Sequence, residues 1–393
     1  MAITICTNMI KRNIEDELLK LANEFPVVAV LGPRQSGKTT IVKHTFSTYK
    51  YVSMEDSDSR TFASEDPRGF FKKYDKNVII DEIQRIPELL SYIQTITDNM
   101  NEEGIFIITG SHNYLLMEKV TQSLAGRVGI STLLPLSYNE LLNDNEKITL
   151  FDLLYKGGYP RLYDKKIRTS TYYNSYLHTY IERDIRLIKN ISDYDLFIKF
   201  IRLLAGRTGQ IVNTVSLGDD CGISHNTVKE WISLLETSYI IFKLQPFYKN
   251  YNKRLIKSPK IYFYDTGLVS FLLGIKDSDE ILTNYMYGNI FETFIISNLI
   301  KFNYNHGKFI NFYYWRDNHR NEVDLIIEDG DIFKVVEIKG GSTFNKDMLK
   351  GINYMQKIPK QDFHNFSLIY SGEDDFTYNS VNITSWKNSN YLL

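Results

Sequence analysis

The stretch that decides the fold is Gly32-Pro-Arg-Gln-Ser-Gly-Lys-Thr39, which has the spacing Gly-x4-Gly-Lys-Thr. The apolar run 25–31 before it is typical of a buried parallel strand, and the residues after it are helix-like. Glycines at these positions let backbone N–H groups wrap around phosphates, and the N-terminus of the next helix favours negative charge. The pattern therefore predicts a phosphate-binding loop between a strand and a helix.

The residue types inside this loop indicate a nucleotide triphosphate and a magnesium ion. We expect Lys38 to neutralise phosphate oxygens and the Thr39 hydroxyl to ligate Mg²⁺. A glycine-rich turn with an exposed lysine is the alternative, and the position between strand and helix speaks against it. The residues expected to bind the nucleotide are Gly32, Pro33, Arg34, Gln35, Ser36, Gly37, Lys38, Thr39, Thr40 and Ser111.

A second apolar strand, residues 78–80, ends in two carboxylates, Asp81 and Glu82. We expect Asp81 to hold Mg²⁺ through water, and Glu82 to orient or deprotonate the attacking water. In isolation the same residues fit a buried strand with a capping aspartate. After a phosphate-binding loop they are a strong signal for nucleotide hydrolysis, with Lys38 and Glu82 as catalytic residues.

Two further polar positions complete the predicted nucleotide site. A third apolar strand, residues 105–108, leads into Thr109-Gly-Ser-His112, whose side chains could touch the γ-phosphate or simply form an ordinary strand exit. Arg127 is a candidate catalytic arginine finger, although an isolated arginine is more often a surface or ion-pair residue. Because such fingers often act on a neighbouring subunit, Arg127 raises the hypothesis of a homo-oligomer.

These motifs make the chain resemble a known family. Residues 25–137 resemble an AAA+-type ATPase domain, and the whole chain resembles bacterial and archaeal ATPases that carry a C-terminal domain of unknown function, DUF4143. AAA+ proteins often have Asn after the third strand, where this chain has Ser111. The wider resemblance rests on the motifs Leu124-Ala-Gly-Arg127, Leu134-Pro-Leu-Ser137, Gly157-Gly-Tyr-Pro160, Glu182-Arg-Asp-Ile185, Thr227-Val-Lys229, Ser258-Pro-Lys-Ile-Tyr262 and Tyr264-Asp-Thr-Gly267.

The middle of the chain has the rhythm of a winged helix-turn-helix. A short helix breaks at Gly222, and Ser224 is placed to cap the next helix, whose core face is apolar. Two apolar runs, 239–244 and 260–264, then predict a hairpin. Many winged helices only dock proteins, so both partners stay open. The residues expected to contact DNA are His225, Asn226, Lys229, Lys249, Lys253, Arg254 and Lys257.

In the C-terminal part, a glutamate on a predicted helix is followed by an aspartate on one predicted strand and by the pattern Glu-x-Lys on the next. Glu337 and Lys339 are two apart on one strand and therefore share a face, with Asp324 on a neighbouring strand. The order matches PD-(D/E)XK nucleases, in which Asp324 and Glu337 would hold Mg²⁺ and Lys339 would activate water. Glu292 resembles the additional acidic metal ligand. The resemblance implies a nuclease-like fold, but such domains are sometimes kept only for binding.

Composition sets limits on these interpretations. The chain has 393 residues and a formal net charge of −1, yet residues 161–264 contain 17 basic and 9 acidic residues, so the near-neutral sum does not argue against nucleic acid and any contact is expected in that module and to be sensitive to salt. Its two cysteines cannot form a disulfide framework or a four-ligand zinc site. No apolar run approaches the length of a membrane span, so we predict a cytoplasmic protein without a membrane partner.

The predicted fold class is α/β, in which a three-layer P-loop AAA+ ATPase core precedes a helical and winged-helix middle region and a restriction-endonuclease-like α/β C-terminal domain. The expected function is Mg²⁺-dependent ATP hydrolysis by a protein that acts on or regulates double-stranded or branched DNA. A nucleotide-switched binding protein with an inactive nuclease-like domain is the alternative. The expected domains are 1–137 (ATPase), 138–207 (helical lid or linker), 208–280 (winged helix) and 281–393 (nuclease-like).

Overall fold

The computed structural model describes residues 9–111, 119–120, 122–144, 147–179, 193–247, 258–358 and 363–393. Within these ranges, five parallel strands form an N-terminal sheet in the order β2-β3-β4-β1-β5. Every residue of β1 is buried, as expected for a strand covered on both faces. The elements are α1 Glu15–Glu24, β1 Val27–Gly32, α2 Lys38–Thr45, β2 Lys50–Ser53, α3 Ser57–Glu65, α4 Pro67–Lys73, β3 Val78–Asp81, α5 Leu89–Met100, β4 Phe106–Ser111 and β5 Val128–Thr132.

Separate hydrophobic clusters pack on the two faces of this sheet. Alternate residues of β1 divide between them, since Val27 and Ala29 join one cluster while Val28 and Val30 join the other. Helix α1 contributes Leu18 to the second cluster and packs against β5. The α/β class predicted for this part of the chain is confirmed. The carboxyl ends of β1, β3 and β4 meet at one edge, where the phosphate-binding loop lies.

Helices follow the sheet and lead into a winged-helix arrangement. Strand β8 pairs antiparallel with both β6 and β7. Helix α11 ends at Gly222, whose φ of 85° lies in the left-handed region, and the Ser224 hydroxyl accepts from the Thr227 N–H at 3.1 Å to cap α12. The elements are α6 Tyr138–Asp144, α7 Leu150–Lys156, α8 Arg161–Asp164, α9 Thr169–Tyr176, α10 Tyr194–Ala205, β6 Gln210–Ile211, α11 Thr214–Cys221, α12 His225–Thr237, β7 Ile241–Pro246 and β8 Lys260–Phe263.

The remaining elements join this hairpin into one larger sheet. In the described part of the chain the sheet has nine strands in the order β13-β14-β12-β11-β10-β9-β7-β8-β6. Strand β7 enters it by parallel pairing with β9, through Gln245 with Tyr313 and Pro246 with Tyr314. The elements are α13 Thr266–Leu272, α14 Asp279–Thr283, α15 Tyr287–Asn305, β9 Asn311–Arg316, β10 Glu322–Asp329, β11 Ile332–Lys339, α16 Lys350–Met355, β12 Phe363–Tyr370, β13 Phe376–Tyr378 and β14 Val381–Ser385.

The middle and C-terminal parts of the chain share a hydrophobic core. A single cluster of buried side chains extends from Leu134 to Leu392 and includes residues of the winged helix and of α15. The nine-stranded sheet contains strands from both sides of the predicted domain boundary at 280/281. Helices α10 and α11, which lie on either side of the predicted boundary at 207/208, pack against each other. The boundaries of the four predicted domains stay predictions. Over the described ranges, none of the helices combines the length and the apolar character needed to cross a membrane.

Candidate functional site

The phosphate-binding loop joins β1 to α2, and its shape depends on two glycines. Gly32 has φ 150°, and a Cβ there would come 2.1 Å from the carbonyl oxygen of Leu133. Gly37 has φ 97° and is the N-cap of α2. Lys38 is 5% exposed and its ammonium donates to the carbonyls of Gly32 at 3.1 Å and Pro33 at 2.9 Å. Burial lowers the pKa of Lys38 to about 8, although Glu82 and Asp81 act in the opposite direction.

Asp81, at the end of β3, lies beside the loop. The Thr39 hydroxyl donates to this carboxylate, with both oxygens at 3.1 Å, and the Tyr51 hydroxyl donates to it at 2.8 Å. The Thr109 hydroxyl also donates to Asp81. A threonine hydroxyl and a carboxylate, supplemented by nucleotide phosphates and water, form the oxygen-rich donor set that Mg²⁺ takes in phosphoryl-transfer sites. The residues present therefore fit a magnesium ion.

Glu82 takes a strained backbone conformation directly after Asp81. Its φ is 56°, in the left-handed region that residues other than glycine seldom adopt. The Thr109 hydroxyl accepts from the Glu82 N–H at 3.2 Å, and Gln84 donates to the Glu82 carboxylate. Gln84 also donates to the Ser111 hydroxyl at 2.9 Å, so it connects the predicted base with the last residue of β4. His112 lies outside the described residues.

Arg127 lies at the opposite edge of the sheet from the loop. Its carbonyl accepts from the Val27 N–H at 3.1 Å, at the start of β1, whereas the loop begins where β1 ends. Its guanidinium pairs with Asp98, with Nη2 at 3.1 Å from Oδ2. Six residues of strand separate the two edges, roughly 20 Å at 3.3 Å per residue. Arg127 is therefore too far from the loop of its own chain to contact a nucleotide bound there, and its role as a finger on another copy stays a prediction.

A buried ion pair behind the loop was not predicted from the sequence. Arg12 donates from Nη1 to the Ser36 carbonyl at 2.8 Å and from Nε to Glu140 at 3.0 Å. Burial would raise the pKa of Glu140, but Arg12 and backbone N–H groups hold it below its usual value. The pattern Ser137-x-x-Glu140 is a capping box and could have indicated Glu140, because Ser137 N donates to Glu140 at 2.7 Å. Nothing in the local sequence singles out Arg12.

Several of the motifs that carry the family resemblance meet behind this ion pair. The Leu136 N–H donates to the Gly158 carbonyl at 2.7 Å, and the Gly158 N–H donates to Asp265 at 2.7 Å. Asp265 is buried and also accepts from the Tyr173 hydroxyl at 2.6 Å. Pro160 lies beside the loop, because its Cγ would be 3.8 Å from a Cβ at Gly37. These motifs therefore support the loop from the side of the middle helices.

The C-terminal acidic residues lie in two groups. In the first, Lys339 bridges Asp324 at 2.8 Å and Glu337 at 2.7 Å, and a bulge in β10 between Val323 and Ile326 sets the position of Asp324. Burial would raise the pKa of Asp324, but Lys339 and hydrogen bonds hold it well below its usual range. Burial and the Asp324 charge raise the pKa of Glu337.

The second acidic group contains Glu292 and a lysine from the winged helix. Lys260, on β8, pairs with Glu292 at 3.1 Å and with Glu322 at 2.7 Å, and the Tyr262 hydroxyl donates to Glu292 at 2.5 Å. Burial raises the pKa of Glu292, although Lys260 opposes this. Across the described ranges, no three Asp, Glu, His or Cys side chains are grouped so as to hold a metal ion. Asp324, Glu337 and Glu292 as metal ligands, and Lys339 as a catalytic residue, stay predictions.

The predicted DNA-contacting face of α12 is open to solvent. His225, Asn226 and Lys229 are exposed, while Val228 and Ile232 on the opposite side are buried. The helix break and cap occur where the sequence predicts them, whereas contact of this face with DNA stays a prediction. The predicted loop contacts, Lys249, Lys253, Arg254 and Lys257, lie outside the described residues, as does the motif 182–185.

Comparison with known families agrees with this geometry. The model of an AAA domain matches residues 24–142, the model of a domain of unknown function, DUF8612, matches residues 147–279, and that of DUF4143 matches residues 287–388. The fold and the loop thus define a P-loop ATPase of the AAA type. The chain carries an AAA-type ATPase domain and a C-terminal DUF4143 domain.

The chain is also similar to individual proteins and to solved structures. An uncharacterized protein of Mycobacterium tuberculosis is 26% identical over 377 residues, which cover 94% of this chain and 82% of the relative. An uncharacterized protein of Methanocaldococcus jannaschii is 27% identical over 313 residues, which cover 71% of this chain and 68% of the relative. The Walker-type ATPase of Pyrococcus abyssi is similar in structure with a TM-score of 0.41 and 14% identity, over 66% of this chain and 94% of that one.

Proposed function

We propose that this chain binds and hydrolyses ATP in the presence of Mg²⁺ and that it acts on or regulates DNA through its winged helix and nuclease-like domain. The observation that carries the ATPase part is the contact between Thr39 and Asp81, with both carboxylate oxygens at 3.1 Å from the hydroxyl. This contact joins the phosphate-binding loop to the end of β3. A metal held there would lie next to the phosphates of a nucleotide in the loop.

The chain's own residues supply the remaining chemistry. The Lys38 ammonium, which now donates to two loop carbonyls, can exchange these neutral acceptors for phosphate oxygens. Bound Mg²⁺, held by Thr39 and Asp81, would neutralise charge on the phosphates. Glu82 would orient or deprotonate the attacking water, with Gln84 fixing its carboxylate.

The test of the ATPase is the change Lys38→Ala, because it removes the cation expected to bind phosphate. We expect loss of ATP binding and of phosphate release. Lys50→Ala is the matched control, since Lys50 is an exposed lysine of the same domain that pairs with Asp75 at 2.9 Å. ATP hydrolysis at the unmodified rate in Lys38→Ala would overturn the assignment.

Contact with DNA is supported by the exposed face of α12 and by the basic balance of residues 161–264. Affinity for duplex DNA should fall with rising salt, because the protein's cationic side chains release counterions condensed on the DNA and this release is less favourable at high salt. Lys229→Ala should lower the slope of log affinity against log salt by about 1, while the exposed Lys276→Ala should not change it. Binding that does not depend on salt, or an unchanged slope in Lys229→Ala, contradicts this part of the proposal.

The second candidate function is a nucleotide-switched binding protein with no nuclease activity. It is supported by Lys339, which already bridges Asp324 and Glu337, and by Lys260, which pairs with Glu292. Incubation of branched and linear duplex DNA with Mn²⁺ distinguishes the two candidates. Cleavage that is lost when Glu337→Ala is combined with Lys339→Ala supports a nuclease. No cleavage, or cleavage that survives in this double variant, supports the second candidate.

A further inference from the structure

Arg12 lies outside the stretch matched by the AAA model, yet it contacts the phosphate-binding loop directly. It is 5% exposed, and its Nη1 donates to the Ser36 carbonyl at 2.8 Å. Its Nη2 donates to the Leu134 carbonyl at 2.8 Å, and its Nε to Glu140 at 3.0 Å. Every nitrogen of the guanidinium therefore has a fixed partner, and the group is held in one orientation.

The Ser36 carbonyl belongs to the peptide unit that carries the Gly37 N–H. This unit is planar and trans, so its carbonyl and its N–H point in opposite directions. Because Arg12 holds the carbonyl on its own side, the Gly37 N–H must point away from Arg12. Gly37 has φ 97°, and glycine takes many backbone conformations at similar cost, so Gly37 itself does not fix the orientation of this peptide unit. The orientation is therefore fixed from outside.

Glu140, the partner of Arg12, is itself held by three further groups. Glu140 accepts from the Asn13 N–H at 2.9 Å and from the Ser137 N–H at 2.7 Å. Asn305, at the end of α15, approaches the same carboxylate at 3.5 Å. Helix α15 lies within the region matched by the DUF4143 model. The support of the loop thus extends beyond the ATPase domain.

We propose that Arg12 is a positioning residue for phosphate binding: through the Ser36 carbonyl it holds the Gly37 N–H in the orientation in which it donates to a nucleotide phosphate. Glu140 fixes Arg12 in this role. The inference rests on the proposed binding of ATP in the loop. We expect Arg12 to affect the affinity for the nucleotide and not the chemical step, because the described hydrogen bonds of Arg12 go to Glu140, Ser36 and Leu134.

The test is Arg12→Lys in the full chain. Lysine keeps the positive charge beside Glu140, but a single ammonium cannot reach Glu140, Ser36 and Leu134 together as the planar guanidinium does. We expect the KM for ATP to rise about tenfold, the effect of losing one charge-assisted hydrogen bond, while kcat stays within about twofold. Arg207→Lys is the matched control, since Arg207 pairs with Asp220 in the winged helix, and its KM should not change.

A second variant, Glu140→Gln, keeps the shape of the side chain and removes the charge that orients Arg12. It should raise KM in the same direction by a smaller factor, about threefold, with kcat unchanged. An unchanged KM in Arg12→Lys overturns the inference, as does a loss of kcat at constant KM. Failure of the unmodified chain to bind a fluorescent ADP analogue would instead remove the ATPase proposal itself.

Discussion

Lys38 and Lys260 are both almost fully buried lysines beside carboxylates, but one lies in the phosphate-binding loop and the other in the C-terminal acidic region. Lys38 donates to the backbone carbonyls of Gly32 and Pro33, and burial lowers its pKa to about 8. Lys260 pairs with Glu292 and Glu322, and although burial opposes it, these carboxylates raise its pKa above the usual value. Similar residues therefore have opposite electrostatic surroundings.

This difference indicates which region is prepared for an anionic ligand. A buried ammonium that donates only to neutral carbonyls gains most from the arrival of a phosphate, because the nearby Glu82 and Asp81 do not offset the cost of its burial. An ammonium that already pairs with two carboxylates gains little from any anion. It also reduces the attraction of those carboxylates for a metal ion. The loop is thus open toward a ligand, whereas Glu292 and Glu322 already have an internal cation.

The largest effect that this comparison predicts is on the turnover of ATP at the phosphate-binding loop. Glu82→Gln should lower kcat for ATP hydrolysis about 10²–10⁴-fold, because glutamine cannot accept a proton from water. The affinity for ATP should stay within about twofold, since Lys38 and the loop are unchanged. Phosphate release and binding of a fluorescent ATP analogue measure the two quantities.

The control for this prediction is Glu236→Gln, because Glu236 pairs with Lys243 in the winged helix. It should hydrolyse ATP at the unmodified rate. If Glu82→Gln keeps more than half of the original kcat, Glu82 is not the base, and the site at the phosphate-binding loop does not hydrolyse ATP in the way proposed.

Features that depend on short stretches of sequence were predictable. The loop 32–39, the strand that ends at Asp81 and the cap at Ser224 each combine spacing with apolar runs over about ten residues, and the structure has them where they were expected. Gly222 breaks the helix because a left-handed residue is needed there. In these cases the physical cause lies within the stretch itself.

Contacts between distant parts of the chain were not predictable in the same way. Arg12 and Glu140 are 128 positions apart, and Lys260 meets Glu292 across 32 positions. The sequence places Glu292 on a helix with apolar neighbours, which fits a metal ligand and an internal ion pair equally well. Only the pairing of β7 with β9, which brings the winged helix beside the C-terminal strands, decides what lies next to Glu292.

The next largest effect concerns stability, where the two lysines should behave differently. Lys260→Met leaves the buried Glu292 without its cation, while Glu322 keeps Arg316 at 3.5 Å, and breaking a buried ion pair in this way costs about 3–5 kcal/mol. Lys38→Met should cost much less, because burial already disfavours the charged form of Lys38. The three tryptophans, Trp231, Trp315 and Trp386, lie outside the ATPase domain, so their fluorescence during urea unfolding reports the Lys260 region, and far-UV circular dichroism also follows the domain that contains Lys38.

Two further variants sharpen this measurement. Lys243→Met is the matched control, since Lys243 lies on the neighbouring strand β7 and pairs with the less buried Glu236. Adding Glu292→Gln to Lys260→Met should recover part of the lost stability, because glutamine can still accept from Tyr262 without carrying a charge. Equal losses for Lys260→Met and Lys38→Met would show that the two surroundings are not electrostatically opposite.

The smallest effect is the pH dependence of ATP affinity. Phosphates favour the charged ammonium, so they raise the pKa of Lys38 from its value of about 8 in the free chain. Below pH 8 the ammonium is already charged, and affinity should not change with its titration. Above pH 8 binding requires uptake of a proton, and affinity should fall by up to tenfold per pH unit.

Lys38→Arg separates this effect from other titrations, because a guanidinium stays charged throughout the range. Its affinity for ATP should be flat between about pH 7.5 and 9.5, even if it is weaker overall. The pKa of Lys260 is shifted in the opposite direction, upward, so Lys260 stays charged over this pH range. The stability that its charge contributes is therefore retained and would be lost only at higher pH. A wild-type affinity that is also flat across this range would mean that Lys38 is charged before the nucleotide arrives. The loop would then resemble the Lys260 region, and the contrast between the two lysines would no longer hold.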